Sequence, residues 1–344
     1  MIRLAQVLAG GEQGGAENMF TRTAIGLQQT GSFDQRVYLR NHPARLAALE
    51  AAGCSCRHFR FGSALHFLDR WQYQRDLRAF APDVVLTWMN RASIATPAGD
   101  YKLVSRLGSY YDLKYYRHAD YWIGISKGIC DHLIKGGMPA DKVFMIPNFV
   151  DEAEVEPLPR DSFDTPADAP LILSAGRLHP VKGFDILIRA LKRVPDAILW
   201  LAGAGPEDEN LRSLAKSEGV ADRIRFLGWR SDVTRLVRTA DLFVCSSRHE
   251  GLGSIVLESW AHGCPIVATD SQGPGELIEH GVTGLLTPVD EVAPLADAIN
   301  QVLGDSTLAQ ALADNAGRQY DKHYRKSVII GQYQQLLTQL ANSP

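Results

Sequence analysis

Short apolar runs recur along the whole chain, separated by stretches with helical spacing. The first half contains IRLAQVL, QRVYL, DVVLTW, KLVSR, DYWIGIS and KVFMIP; the second contains PLILSAGR, AILWLAG, RIRFLG, DLFVCSS, PIVATD and TGLLTP. Each run is rich in β-branched or aromatic residues, which suit buried, pleated backbone. Intervening segments such as GAENMFTRTAIGLQQTG carry apolar residues at helical intervals. Buried strands alternating with helices predict parallel sheets covered on both faces.

The pattern breaks once, at DEAEVEPLPRDSFDTPADAP, which is acidic and proline-rich. It divides the chain into a first wound domain over 1–150, a linker over 151–168 and a second wound domain over 169–322. The remainder, 323–344, contains YRKSVIIGQYQQLLTQL, an amphipathic helix able to cross back to the first domain. The expected fold class is α/β, with two Rossmann-like, doubly wound parallel sheets facing a central cleft. A ligand is expected where strand C-termini meet. A length of 344 residues suits two domains.

Composition narrows the class. An apolar fraction of 45% with 22% charged residues is that of an ordinary globular protein. No apolar run approaches a membrane span, and MIRLAQVLAGGEQGG is too short and too glycine-interrupted for a signal peptide. Five scattered cysteines, with CSC lacking metal spacing, fit reduced thiols in a cytoplasmic protein. The net charge of −3 is uneven: residues 1–150 carry 18 Lys and Arg against 12 Asp and Glu, leaving 18 against 27 for the rest. A basic first half suits an anionic acceptor or an anionic membrane surface. The segment RHFRFGSALHFLDRWQYQRDLRAF sharpens this, because Leu65, Leu68 and Trp71 recur at helical spacing among Arg57, Arg60, Arg70, Arg75 and Arg78. The plainer reading is a helix packed on the sheet with a basic outer face. With a pI of about 6.4 and no recognised binding module, nucleic acid is not an expected partner.

Three stretches carry chemistry. LAGGEQGGAE follows the first strand and opens a helix, and its glycines let backbone approach an anion at a helix N-terminus. It is not G-x-G-x-x-G, and the second strand ends in Arg40 rather than an acid, which argues against a dinucleotide site. In SAGRLHPVKGFDILIRAL, Arg177 and Lys182 stand just past a strand's C-terminus, where two cations suit a diphosphate. In DLFVCSSRHEGLGSIVLESWAHG a strand, a turn and a helix follow one another. Glu250 lies on the turn and Glu258 on the helix, beside the amides of Gly253, Ser254 and Ile255. Two carboxylates there can accept hydrogen bonds from vicinal hydroxyls of a sugar and a ribose.

EGLGSIVLESWAHGCPIVATDSQGPGELI resembles the E-x7-E signature of retaining glycosyltransferases of family 4, which have the GT-B fold. GGAE, ISKGICDHL, IPNFVD, SAGRLHPVKGFDILIRAL and LAGAGPE…FLG match in the family's order, over the whole chain. The resemblance implies that Arg177 and Lys182 bind the donor diphosphate, that Glu250 holds the donor sugar near the reacting carbon and that Glu258 binds the ribose. It also implies that the amides of Gly253, Ser254 and Ile255 line the donor, that Gly15 approaches the phosphates, and that the segment at Trp229 and Arg230 touches the base, largely through backbone. UDP-sugar is the first expectation and GDP-mannose the second. No D-x-D triplet occurs, so no metal or other cofactor is expected. The implied reaction is metal-independent hexosyl transfer with retention, to a glycan or lipid-linked acceptor of bacterial lipopolysaccharide, capsule or another surface polysaccharide. The expected place is the cytoplasm, peripheral at the inner face of the plasma membrane. Many relatives have a histidine after the strand KLVSR; here Arg106, Leu107 and Gly108 stand there, followed by Tyr110 and Tyr111. Arg106 is therefore a candidate for donor phosphate or an anionic acceptor. His118, in KYYRHADYW, reads as a surface or core residue on a helix. Other readings of the same residues are a GT-B nucleotide-sugar epimerase, a non-catalytic nucleotide-sugar-binding protein and, more distantly, an NADP oxidoreductase.

Overall fold

A computed structural model describes residues 1–12, 14–62 and 67–343. The chain divides into two compact units, one of residues 1–148 with 326–344 and one of residues 149–325.

Among the described residues, the first unit is built on a seven-stranded parallel sheet. Its strands are β1 (Ile2–Leu8), β2 (Phe33–Leu39), β3 (Ser55–His58), β4 (Val84–Trp88), β5 (Lys102–Leu107), β6 (Tyr121–Gly124) and β7 (Val143–Met145). They lie in the order β3-β2-β1-β4-β5-β6-β7, so the direction of winding reverses between β1 and β4. Every residue of β4 is buried, as a strand sandwiched between helices requires. β3 has no apolar run and is largely exposed at the sheet's edge, which is why hydrophobic pattern does not find it.

The second unit repeats the plan with six strands: β8 (Leu171–Ala175), β9 (Ile198–Ala202), β10 (Ile224–Gly228), β11 (Leu242–Cys245), β12 (Ile266–Thr269) and β13 (Leu285–Thr287). Their order is β10-β9-β8-β11-β12-β13, reversing between β8 and β11. Leu187, Leu199, Val244 and Ile299 are fully buried between this sheet and its helices. Truncating one such leucine to alanine costs roughly 2–5 kcal/mol.

The segment read as a linker has few regular elements but is fastened to the second unit. The Leu158 amide donates to Thr239 Oγ1 at 2.7 Å, and Arg160 is ion-paired with Asp241 at 2.5 Å. Its prolines leave it only a 3-10 turn, Arg160–Phe163, and its polar groups find partners on the unit. The helix Ser306–His323 stays with the second unit, whereas the helix Lys326–Ala341 packs on the helix Gly15–Gln29 of the first. His118 lies on a turn, not a helix; its Nε2 sits 3.0 Å from the Ser93 carbonyl and 3.2 Å from that of Thr96. The short helix ahead of it, Leu113–Tyr115, ends before reaching it. Of the predicted row Leu65, Leu68 and Trp71, Leu65 lies outside the described residues, and the other two are exposed on the helix Phe67–Phe80.

Candidate functional site

In a doubly wound sheet the ligand crevice forms beyond the strand C-termini where the winding reverses. In the second unit that point lies between β8 and β11, and the two loops leaving these strands carry Lys182 and Glu250. Lys182 Nζ stands 2.5 Å from Glu250 Oε1. Both side chains are largely buried, 23% and 14% exposed, so solvent screens the pair only in part.

The loops are held so that this meeting is fixed. After β8 the chain makes a short 3-10 turn, Pro180–Lys182, and passes through Gly183 at φ 63° into the helix Phe184–Leu191. A Cβ at Gly183 would also overlap the Ser246 carbonyl, so no other residue fits there without displacing the β11 loop. Ser246 Oγ donates to the Lys182 carbonyl at 3.0 Å, and the Arg248 amide donates to the Val181 carbonyl at 2.8 Å. Arg248 forms a fork to Asp185, with N···O distances of 2.9 and 2.8 Å, and reaches Asp290 at 2.6 Å. Desolvation pushes the Asp185 carboxyl up, but the hydrogen bond and charge of Arg248 outweigh it and hold it below the usual range. The same hydrogen bond raises Arg248 further.

Glu250 has a second partner. Ser247 Oγ donates to Glu250 Oε1 at 2.7 Å, and Thr269 Oγ1 donates to the Ser247 carbonyl at 2.5 Å. The carboxylate is thus oriented by an ammonium and a buried hydroxyl. Beyond it, Gly253 at φ 78° caps the helix Ser254–Ala261, and the Val256 amide donates to the Gly253 carbonyl at 2.8 Å. Glu258 lies within that helix and is partly buried. Arg177, in the β8 loop, is exposed and has no hydrogen bond or ion pair among the described residues. Trp229, after β10, is 62% exposed. Arg230 is closed on its neighbour Asp232, with bonds of 2.8 and 2.7 Å, so its guanidinium is already occupied.

Two predicted residues belong to the first unit. Gly15 is the first residue of the helix Gly15–Gln29, and a Cβ there would meet open space. The turn before it is filled from inside by Glu17, whose Oε1 accepts the Gly11 amide at 2.8 Å and whose carboxylate occupies the space a Cβ would need at Gly10 or Gly14. Arg45 reaches the same turn, donating to the Glu12 carbonyl at 2.7 Å. Burial pushes its guanidinium down, against the nearby charges of Glu17 and Glu12. Arg106 is 2% exposed. Its Nε donates to Tyr333 Oη at 2.9 Å, its Nη2 donates to Asn148 Oδ1, and its Cζ lies 4.2 Å from the centre of the Trp88 ring. These contacts give it a place in the internal framework of the unit. At the position of the missing histidine, Tyr110 packs edge-on against His132, whose Nε2 lies 3.0 Å from the Tyr111 carbonyl.

The residues that sequence reasoning missed are Ser247, Thr269, Arg248, Glu17 and Arg45. Ser247 left a faint signal, as a hydroxyl at a strand's C-terminus three residues before the glutamate. Arg248 left none, since Asp185 and Asp290 lie 63 and 42 positions away. Among the described residues no cluster of three or more His, Cys, Asp or Glu is arranged to hold a metal ion.

Residues 157–319 match the family model of glycosyl transferases group 1, and residues 13–154 match that of glycosyltransferase family 4. The lipopolysaccharide core biosynthesis glycosyltransferase LpsE of Rhizobium meliloti (strain 1021) is 36% identical over 330 residues, covering 95% of this chain and 96% of the relative. LpsD of the same organism is 33% identical over 326 residues, 94% of each. The crystal structure of Anabaena Alr3699/HepE in complex with UDP-glucose superposes with a TM-score of 0.86 at 24% identity, over 98% of this chain and 100% of that one. WaaG, a glycosyltransferase involved in lipopolysaccharide biosynthesis, gives a TM-score of 0.74 at 19% identity, over 97% and 99%. The protein is a glycosyltransferase with the GT-B fold. It belongs to glycosyltransferase family 4, of the group 1 glycosyl transferases.

Proposed function

We propose that the enzyme moves a hexose from a nucleoside diphosphate sugar onto a glycan or lipid-linked acceptor in the assembly of lipopolysaccharide core, with retention of anomeric configuration and without a metal. The observation that carries this reading is the Lys182–Glu250 pair at the reversal point of the second sheet, with Arg177 exposed on the same loop as Lys182. Arg177 and Lys182 take the donor diphosphate, Arg as a planar fork and Lys as a point charge. Glu250, already oriented by Ser247, accepts hydrogen bonds from the donor sugar's hydroxyls. Glu258 takes the ribose, and the amides of Gly253, Ser254 and Ile255 line the donor. The base is met by Trp229 and by backbone at Arg230, whose guanidinium is held by Asp232.

The chemistry requires stabilisation of a departing diphosphate. Preorganised cations supply this without reorganisation during the reaction, and removing one such group typically costs about a hundredfold or more in rate. The departing phosphate oxygen takes the acceptor proton on the face from which it leaves, so Glu250 positions charge and forms no covalent bond. Donor phosphate and Glu250 compete for one ammonium, so the resting ion pair loosens as the donor enters.

UDP-sugar is favoured because Alr3699/HepE was crystallised with UDP and with UDP-glucose. GDP-mannose stands second; a GDP-mannose-dependent mannosyltransferase of Mycobacterium tuberculosis is 37% identical over 166 residues, 44% of this chain. The acceptor class follows LpsE and LpsD. In this reading the enzyme works peripherally at the cytoplasmic face of the membrane that presents the acceptor. The test is thermal-shift titration with UDP, GDP, ADP, CMP and NADP and their sugar conjugates, with and without magnesium. A ligand that binds only the native state raises apparent stability by mass action. A shift with one nucleoside diphosphate, equal in both conditions, is expected. A shift that needs magnesium, or one with NADP alone, overturns the reading.

A further inference from the structure

Along the C-terminal edge of the second sheet, the groups proposed to hold the donor follow the order of the strands. Trp229 comes after β10, Arg177 and Lys182 after β8, and Glu250 after β11. The next strands along that edge are β12 and β13. Neighbouring strands lie about 4.8 Å apart, so the loop leaving β12 begins about the width of one sugar ring beyond the loop of Glu250. It carries Asp270, Ser271 and Gln272, which with Arg248, Gly275 and Val289 line a cavity of about 300 Å³.

This loop is fixed to the turn that carries Glu250. Thr269 Oγ1 donates to the Ser247 carbonyl, a Cβ at Gly273 would overlap the Leu252 backbone, and the Asp270 amide donates to the Thr287 carbonyl at 2.7 Å. The cation of the cavity, Arg248, is taken up by Asp185 and Asp290. The other polar side chains are not engaged. Asp270 and Gln272 are exposed, and neither side chain has a hydrogen bond or ion pair among the described residues. Ser271 is 4% exposed, and its hydroxyl is buried without a hydrogen-bond partner. A buried hydroxyl left unpaired is costly, and native structures keep few of them; a ligand hydroxyl entering the cavity supplies the missing partner. A Cβ at Gly275 would overlap Asp270 Oδ1, so this glycine leaves the carboxylate its place.

The chemistry of the cavity selects its occupant. An unpaired carboxylate beside an already neutralised guanidinium repels an anion, and a single carboxylate is a poor cation site. Carboxylate, amide and hydroxyl together offer the acceptors and donors that suit a neutral polyol. We infer that the cavity is a second sugar subsite, in which Asp270 and Gln272 bind hydroxyls of the donor hexose on the side away from Glu250 and so decide which hexose is transferred. A site built to bond a particular hydroxyl rejects an epimer that turns it away, because the site's own polar groups are then left unpaired. The inference rests on the proposed donor role of Lys182 and Glu250, and an experiment that reads diphosphate and sugar separately lets the two fail separately.

The experiment is isothermal titration of the full chain with UDP, UDP-glucose, UDP-galactose and UDP-N-acetylglucosamine, and with GDP and GDP-mannose. The quantity read is the affinity of each sugar nucleotide relative to its free diphosphate. The wild type should favour one hexose over the others by about tenfold or more. Asp270→Asn should lower the relative affinity for that hexose by about tenfold, and Gln272→Ala by about threefold, and both should narrow the discrimination. Gly275→Ala keeps all three polar groups but displaces the carboxylate, and should act like Asp270→Asn. Binding of the free diphosphate and the unfolding temperature should stay at wild-type values in all three. Wild-type relative affinities in Asp270→Asn and Gln272→Ala overturn the inference. Equal weakening of diphosphate and sugar nucleotide does so too, because the residues would then support the unit and not read the sugar. A wild type that binds neither diphosphate fails the donor reading itself, and the inference falls with it.

Discussion

Lys182 Nζ and Glu250 Oε1 lie 2.5 Å apart, 68 positions distant in sequence, on the loops leaving two adjacent parallel strands. The pair unites the group proposed to hold the leaving diphosphate with the group proposed to hold the sugar. Their mutants should separate accordingly. Glu250→Ala should lower transfer by about a hundredfold or more, while nucleoside diphosphate still binds. Lys182→Ala should weaken diphosphate binding itself by about tenfold or more. Isothermal titration with the diphosphate, beside turnover of the sugar nucleotide, measures both; near-wild-type turnover in Glu250→Ala would remove that residue from the mechanism.

Ser247 acts through Glu250. Its hydroxyl is buried and donates to the carboxylate at 2.7 Å, so Ser247→Ala leaves Glu250 less firmly aimed. We expect kcat to fall by about tenfold with donor KM nearly unchanged. Ser247→Thr, which keeps the hydroxyl, should restore much of the rate. Equal losses in both variants would indicate a packing role instead.

Arg106 separates a structural role from a ligand-binding one. Held by Tyr333, Asn148 and the face of Trp88, it should act on stability. Arg106→Met should cost about 2 kcal/mol, the scale of a charge-assisted hydrogen bond, seen as a lower first unfolding transition. Nucleotide affinity should stay within about twofold of wild type by the same reasoning. A tenfold weaker affinity at unchanged stability would return Arg106 to the phosphate or acceptor role that its place in the sequence suggested.

The Arg248–Asp185 fork makes a prediction about acid. Asp185 has its folded-state pKa depressed, the lowering by Arg248 exceeding the opposite push of burial. Its contribution to stability is therefore complete above the unfolded-state carboxylate pKa of about 3.9 and is lost as pH falls through the lower folded value. Arg248→Met should be less stable than wild type at neutral pH, and the gap should narrow below about pH 4. Denaturant unfolding at several pH values measures this, and a gap independent of pH would show that the ion pair contributes nothing.

The strand runs could be read from the chain because a strand buried on both faces is apolar almost throughout, continuously in β9 and β11 and with a single buried hydroxyl residue in β4 and β8. Loop chemistry was legible for a related reason. A doubly wound sheet brings the residues after its central strands to one edge, so Lys182 and Glu250 could be placed together from position alone. Edge strand β3 could not be read this way, because exposure removes the demand for apolar residues.

What the chain determined by itself was thus its repeated αβ pattern, the glycine-bounded turns and the spacing of the two glutamates. Those are local properties, set by backbone preference and by which side chains must avoid water. Tertiary structure alone decided that Ser247 would orient Glu250, that Arg248 would bind Asp185 and Asp290, and that Arg106 would be bound by Tyr333, 227 positions away. Such pairs leave no periodic mark. A charged or hydroxyl side chain reads alike whether it meets water, ligand or a distant partner, and only the packed chain supplies the partner.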